Sequence, residues 1–166
     1  DVTNFRVAGD TTAANIDVVA SMTNVRVQCN ENEGDKVYAN VSFDVLAKRT
    51  DTNAARQVTL PYFVTVLQGG TAVVSKRVGS VTINFAAGQE RAQAKGNGAA
   101  YIDRTAATLP EDIRDRITRK RKAGDTDAAV DPLANPDVRA AVSKATFELL
   151  VGFQMTNDQL SYNATR

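Results

Sequence analysis

The sequence predicts an all-β protein: an immunoglobulin-like antiparallel β-sandwich with a helical insertion before the last strand and a short C-terminal helix. Apolar and polar residues alternate in a series of short segments, which is the period of a strand with one buried face. Ten glycines and no tryptophan fit a protein with many turns. At 166 residues the chain can bury about two thirds of its unfolded surface in one domain, 1–166. A β-barrel is the alternative architecture.

The first predicted strand covers residues 16–29, and its apolar pattern changes phase. Apolar side chains fall on even positions from Ile16 and on odd positions from Val25, so we expect a bulge or a break near residues 23–24. Cys29 continues the apolar face. We predict that it is buried rather than reactive, because the chain has no histidine to activate a thiol.

Two further strands are predicted around polar turns. The alternation is most regular over 37–47, after an acidic turn at 31–35, and it resumes over 58–66 after a polar turn at 49–55. Pro61 lies inside this last segment. Because proline has no backbone N–H to donate, it indicates an edge strand or a bulge there.

Glycine-containing turns separate the next segments. Strands are predicted over 72–78 and 81–85, with a break at Gly79-Ser80 between them, and a weaker strand over 89–95 follows Gly88. Two sheets that each present alternate residues to a shared core account for this spacing.

Between about 100 and 143 the apolar period changes from two toward 3.6, which predicts a helical insertion. A capping box at 108–111 begins a helix predicted over 109–123, which stops at Gly124. Asn135 can cap a second short helix whose first residue is a proline. The insertion lies on the loop end of the scaffold, where sandwich proteins commonly carry their contacts.

The chain ends with a strand, a turn and a helix. Large apolar residues occupy alternate positions over 145–155, as expected of a core strand. Thr156 and Gln159 then form a capping box, in which the hydroxyl and the amide can each satisfy a backbone N–H of a new helix.

Residues 114–122 hold six basic side chains and one acidic side chain. Acids at the start of the predicted helix and bases toward its end complement the helix dipole, so a solvated face is one explanation. The other is an anion-binding surface for lipid head groups, a polyanion or an acidic protein partner. Nucleic acid is not expected, because no aromatic residue is interleaved and the formal net charge is only +1. The candidate partner-binding residues are Arg114, Arg116, Arg119, Lys120, Arg121 and Lys122.

Four aromatic side chains fall outside the predicted core faces. They are Tyr38, Phe63, Tyr101 and Tyr162. Such residues can anchor an interface, and they can equally cover a second core or the insertion.

Catalytic and metal-binding machinery is largely excluded by composition. Without histidine, neither a Ser-His-Asp nor a Cys-His arrangement can be assembled, and no glycine-rich phosphate loop follows a predicted strand. Asp125, Asp127 and Asp131 could crowd oxygen ligands around calcium, but the glycine and the terminal glutamate of a calcium loop are absent. We therefore expect a protein that is not an enzyme and takes no cofactor or metal, although composition leaves a carboxylate pair or a Ser-Lys dyad open.

Several motifs resemble those of a family of small, uncharacterised bacterial envelope lipoproteins. The run Gly152-Phe153-Gln154-Met155-Thr156, followed by Gln159-Leu160 and Tyr162-Asn163, is similar to that family's ending, Gly-Phe-Gln-Leu-Thr, then Gln/Glu-Leu and Tyr-Asn-Arg. Residues 4–9 and 60–64 also resemble the family. The ending at 163–166 departs slightly from its pattern, and the insertion is longer than its usual connection.

The resemblance implies export, a periplasmic β-sandwich, and anchoring to the outer membrane by a lipid on a cysteine upstream of Asp1. No stretch of about twenty apolar residues occurs, so a membrane-spanning segment is not expected. Since Asp1 is not an initiator methionine, we expect a processed or trimmed chain. These expectations lead to an accessory or structural subunit that binds another envelope protein. The alternative is a module that binds a small ligand or a polysaccharide between its sheets.

Overall fold

The computed structural model describes residues 1–30, 34–125 and 129–165 and confirms the all-β class. Two antiparallel sheets form a sandwich, and the helices lie outside them. The strands are β1 (Val2–Phe5), β2 (Ile16–Asn30), β3 (Lys36–Arg49), β4 (Arg56–Gln68), β5 (Ala72–Phe85), β6 (Arg91–Asp103) and β7 (Phe147–Phe153), and the helices are α1 (Glu111–Thr118), α2 (Pro136–Ala145) and α3 (Asn157–Thr165). One sheet has the order β1-β2-β3-β6, and the other has the order β5-β4-β7.

The core lies between the sheets and is built from alternate residues of the strands, as the period of two predicted. Val45 and Ile83 are completely buried, one from each sheet. The rings of Phe43 and Tyr62 meet edge to face at 5.0 Å between centroids, and the Tyr62 hydroxyl donates to the Asn97 carbonyl. This ring pair therefore joins the two sheets through both apolar and polar contacts.

Strands β5 and β6 are longer than the sequence pattern predicted. Strand β5 is continuous through Gly79-Ser80. Gly79 is part of the strand, and its lack of a side chain provides the space that the Tyr62 ring occupies. Strand β6 continues to Asp103 instead of ending at 95, so the insertion begins at 104 rather than at 100. The inward residues of β6 are small, which removed the apolar alternation that would have marked the strand.

Pro61 does not lie on an edge strand, because β4 is the central strand of its sheet. The pairing of β4 with β7 begins only at Tyr62, and the Pro61 carbonyl accepts from the Gln154 N–H at 2.9 Å, just beyond β7. In an antiparallel strand the N and the C=O of one residue point to the same side. The nitrogen of Pro61 therefore faces the side where β7 has already ended. Because it does not face β5, the absence of its N–H removes no hydrogen bond to that strand.

The predicted phase change in β2 is a bulge. Its register against β3 shifts between Thr23 and Arg26, and Asn24 adopts a positive φ of 51°. Asparagine tolerates this left-handed conformation better than most residues. The extra residue explains why apolar side chains change from even to odd positions while both halves of the strand remain in one sheet.

Two of the predicted helix caps are confirmed. The Asn135 side chain accepts from the N–H groups of Asp137 and Val138 at the start of α2. Before α3, the Thr156 N–H donates to Gln159 Oε1 at 2.8 Å, and the Gln159 N–H donates to Thr156 Oγ1 at 3.3 Å. Helix α2 extends to Ala145, so the last strand begins at 147 rather than 145.

The capping box at 108–111 and the helix over 109–123 were wrong in detail. Helix α1 covers only 111–118, its N-cap is Pro110, and the Thr108 hydroxyl instead donates to the Arg104 carbonyl at 2.7 Å. Helical continuation would stack the side chain of Arg116 on two bases, three and four residues later. Like charges at these spacings destabilise a helix by about 0.2–0.5 kcal/mol per pair, which disfavours a helix that continues to Gly124.

A buried arginine organises the loops at the end of the sandwich opposite the insertion. Arg49 is 1% exposed, although the sequence pattern placed it in a polar turn. Its guanidinium donates to the carbonyls of Gln89, Ala54 and Ala86 at 2.7–2.8 Å and lies over the Phe85 ring. The loops after β3 and β5 are thereby held together by one side chain.

Helix α3 fastens the C-terminal residues to the first strand. Gln159 Nε2 donates to the Thr3 carbonyl at 3.0 Å and to Asn4 Oδ1 at 2.8 Å, and Asn163 Nδ2 donates to the Asp1 carbonyl at 3.0 Å. The rings of Phe5 and Tyr162 pack edge to face. Among the described residues, none of the helices is long and apolar enough to span a bilayer.

Candidate interaction surface at the insertion end

The insertion, residues 104–146, emerges from one end of the sandwich, which we call the insertion end. Strands β2 and β6 finish there and β3 and β7 begin there, as the pairing of Lys36 with Asp103 requires. Helix α2 is anchored to the turn after β4, because the Gly69 N–H donates to the Thr146 carbonyl and Gln68 Nε2 donates to the Lys144 carbonyl. The insertion is therefore held on the scaffold at its C-terminal side.

The six candidate basic residues lie within residues 114–122, which we call the basic segment. Arg114 and Arg116 belong to α1, and the other four follow its end at Thr118. Arg116 alone stands in the last turn of the helix. Complementation of the helix dipole acts only within the last turn. It therefore accounts for Arg116, and the helix C-terminus also accounts for Arg121, which donates to the Arg116 carbonyl in the last turn.

Five of the six basic side chains of the basic segment are exposed. One ion pair of the segment joins Arg114 to Glu111 at 3.8 Å, with both side chains more than half exposed. An exposed pair of this length contributes little to stability. Arg121 is half-buried, and its guanidinium donates to the Arg116 carbonyl at 3.3 Å. The segment is folded back on α1 and presents a positively charged surface.

A cleft of about 440 Å³, lined by both charged and apolar side chains, separates the basic segment from the start of α2. Arg116, Arg119 and Arg121 line one wall together with Asp115. Asp131 lies on the other wall, and its carboxylate accepts from the Leu133 N–H at 2.9 Å. The excess of positive charge favours an anionic group such as an aspartate or glutamate side chain of a partner.

A second, apolar cleft of about 230 Å³ opens between the sheets at the insertion end. Val27 and Cys29 of β2 lie on one side of it, and Phe147 and Leu149 of β7 lie on the other. Cys29 is exposed, which corrects the prediction that it is buried. The alternation assigned its face correctly, since it pairs with Ala39, but the strands of the opposite sheet do not cover this part of β2.

A third cleft, of about 310 Å³, adjoins the apolar one and shares Tyr101, Ile102 and Phe147 with it. The Tyr101 ring lies 4.1 Å from Lys36 Nζ and 5.7 Å from Arg77 Cζ, and it is tilted against the Tyr38 ring. Tyr38 and Tyr101 are both about half exposed, at 51% and 45%. They form an aromatic surface beside the clefts.

The other two aromatic residues have structural partners. Phe63 lies under Lys76 Nζ at 5.0 Å, and Tyr162 packs against Phe5. The four aromatic residues thus do not form one surface. Only Tyr38 and Tyr101 stay available at the insertion end.

Two of the three acidic residues considered for calcium are described, and each accepts a backbone N–H. The carboxylate of Asp125 accepts from the Lys122 N–H and that of Asp131 from the Leu133 N–H, while Asp127 lies outside the described residues. No group of three or more potential metal-ligating side chains occurs in the described ranges. The acidic turn at 31–35 is also described only in part.

No known protein family, curated protein or solved structure matches this chain. What the fold and the surfaces define is a two-sheet β-sandwich with a basic insertion at one end. The sequence pattern located the basic segment, but it did not indicate the clefts between the sheets. The residues that line these clefts alternate in the same way as those of a covered core strand. The clefts remain open because of the lengths of the neighbouring strands, which the alternation does not indicate.

Proposed function

We propose that this protein is a non-enzymatic accessory subunit that binds an acidic surface of another cell-envelope protein through the basic segment. One observation carries the proposal: six basic side chains are concentrated within nine residues at the insertion end, five of them are exposed, and three of the six line one cleft. The cleft that Arg116, Arg119 and Arg121 line supplies a place where a carboxylate can be held by guanidinium groups.

The cellular setting rests on the resemblance of the end and middle motifs to envelope lipoproteins. In this proposal the protein acts in the periplasm and is anchored to the outer membrane through a lipid on a cysteine upstream of Asp1. The anchor confines the protein to a surface, and a partner in the same membrane then meets it at a raised local concentration. Intact-mass measurement on the native protein tests the lipid directly.

The partner proposal is tested by a pull-down from the native envelope in mild detergent. The test variant replaces Arg116, Arg119, Arg121 and Lys122 with serine, and we expect it to lose a partner that the unchanged protein retains. The matched control replaces four exposed basic residues on the strands, namely Lys48, Lys76, Arg91 and Lys95. The attraction between exposed charges decays over a Debye length, which is about 8 Å at physiological ionic strength and shortens as salt is added. The interaction should therefore also weaken as the salt concentration is raised.

The control and the test variant separate a local contact from a general effect of charge. Equal loss in both variants would mean that total charge, not the basic segment, attracts the partner. Retention of every partner by the test variant at moderate salt would refute the proposal. Seven of the eight replaced side chains are exposed and Arg121 is half-buried, so circular dichroism should show the same folded state for both variants.

A second candidate function is the binding of a small ligand or a polysaccharide between the sheets. It is favoured by the two adjoining clefts that share Tyr101 and Phe147, because sugar rings and apolar groups both pack on exposed aromatic side chains. Isothermal titration with envelope glycans tests it. Heat that disappears in Tyr101→Ala would support this function, and the absence of heat would count against it.

A further inference from the structure

One side of the sandwich is open at the insertion end. Strands β5 and β6 bring the two sheets together along the opposite side. On the open side, β1 pairs with β2 only from Ile16 to Ala20. Between Thr23 and Cys29, β2 pairs with β3 alone among the described residues, and β7 likewise pairs only with β4. We call these two strand edges, 23–29 and 147–153, the open seam.

The open seam exposes both backbone and apolar side chains. Val27 is 45% exposed and Cys29 is exposed, although both are on the face of the sheet that elsewhere forms the core. The apolar cleft separates them from Phe147 and Leu149. A strand edge with an apolar face and few charges is a template for pairing with another strand. A lipid or a sugar could fill the cleft, but neither provides the repeating donors and acceptors that a strand edge pairs with.

The directions of the two edges make the seam complementary to itself. Strand β2 runs toward the insertion end and β7 runs away from it. A rotation of 180° about an axis parallel to the strands therefore places β2 of one copy antiparallel to β7 of the next, and does so in both sheets at once. The same rotation keeps the inner faces of the joined strands on the same side. Such an arrangement is an isologous two-fold interface.

We propose that a second copy of this chain closes the open seam, with β2 of each copy pairing with β7 of the other. Because Cys29 and Phe147 line the same cleft, the register that places them opposite each other is the natural one. It also places Val27 opposite Leu149 on the inner face. The ladder is short, because the bulge at 23–26 interrupts regular pairing beyond Arg26.

Charge complementarity supports this occupant. Arg26 is the sole charged residue of β2 between 23 and 29, and Glu148 is the sole charged residue of β7. In the proposed register Arg26 lies opposite Leu150 and diagonal to Glu148 of the second copy. Diagonal neighbours of antiparallel strands are about 7–8 Å apart, which long side chains reach. The two charges would thus meet twice in the dimer, once in each joined sheet.

The first test is the oligomeric state of the full chain, measured by sedimentation equilibrium over a range of concentrations. We expect a monomer and a dimer in reversible equilibrium. Val27→Lys should shift the equilibrium to monomer without unfolding the chain, because the side chain is exposed in one copy. Arg26→Glu should weaken the dimer, and adding Glu148→Arg in the same chain should restore it. A monomer at every concentration would overturn the proposal.

Disulfide trapping tests the register. In a Phe147→Cys variant, Cys29 of one copy should bond to the introduced cysteine of the next and give a dimer on a non-reducing gel after mild oxidation. Leu46→Cys, on the outer face of β3, is the control and should give far less dimer. Equal dimer from both variants would contradict the register. If Val27→Lys loses an envelope partner while the unchanged chain stays monomeric, that partner and not a second copy fills the seam.

Discussion

The ring of Phe43 occupies the space that a side chain at Gly96 would need. A Cβ built on Gly96 would meet three atoms of that ring, and Phe43 itself is 2% exposed between the sheets. We expect Gly96→Ala to lower the free energy of unfolding by about 1–3 kcal/mol, because a well-packed core responds to an added methyl group with strain. Urea denaturation followed by circular dichroism measures the change.

The neighbouring position supplies a control for Gly96. Lys95→Ala changes an exposed side chain on the other face of β6 and should alter stability by no more than about 0.5 kcal/mol. Phe43→Leu makes room at the contact, so Gly96→Ala should cost less in that background than in the unchanged chain. An equal cost in both backgrounds would show that the strain arises elsewhere.

We expect replacement of Arg49, at the end of the sandwich opposite the insertion, to cause a large loss of stability. Arg49→Met keeps much of the apolar stem but removes every donor to the loop carbonyls, including those of Ala54 and Ala86. Hydrogen bonds from a charged group contribute about 1.5–3 kcal/mol each, so the loss should be about 3 kcal/mol after the gain from burying a neutral side chain. Thermal unfolding measures it. Arg91→Met, at an exposed position, should have almost no effect.

Gln159 links the C-terminal helix to the first strand, so we expect its replacement to destabilise both elements together. Its amide caps α3 and also donates to Thr3 and Asn4 in β1. Gln159→Ala should destabilise the chain by about 1–2 kcal/mol and should increase hydrogen exchange in α3 and β1 together. Ser161→Ala is the control, because its backbone carbonyl, which accepts from Thr165, is unchanged. Faster exchange confined to α3 would mean that the helix docks by other contacts.

The absence of histidine predicts a flat pH response near neutrality. No side chain with an ordinary pKa between about 5 and 8 occurs in the chain, so stability and binding by the basic segment should change little from pH 6 to 8. On the acid side, hydrogen bonds from Thr12 lower the pKa of Asp10. A lowered pKa contributes stability above the unfolded value, and this contribution is lost as the pH falls through the folded value. Asp10→Asn should therefore reduce the slope at acid pH, measured by thermal unfolding.

The sequence pattern predicted the two-sheet fold because burial on one face imposes a period of two. It failed at β6, where Gly96 and Gly98 face the core and yield their space to Phe43 and Val64. It also failed at Arg49, since a charged residue after a strand reads as part of a turn. In both cases the decisive partner lies far away in the chain, and local periodicity contains no information about it.

The two candidate surfaces differ in the same way: one was visible in the local sequence, and the other depends on residues far apart in the chain. The basic segment was visible as a run of charges, and the structure changed only its helical extent and its relation to the dipole. The open seam depends on how far β1 extends along β2 and on where β7 begins. These are relationships between strands, so the alternation that correctly assigned the face of Cys29 could not reveal that nothing covers it in the described chain.

The exposure of Cys29 has a consequence for oxidation chemistry. The chain carries a single thiol, and it stands at the opening of the apolar cleft. Accessibility governs how readily a cysteine is alkylated or oxidised to a sulfenic acid. Whatever occupies the cleft must shield this sulfur, and whatever leaves it must restore reaction with reagents in solution. The rate at which the Cys29 thiol is modified therefore reports whether the apolar cleft is occupied, even when the occupant is not identified.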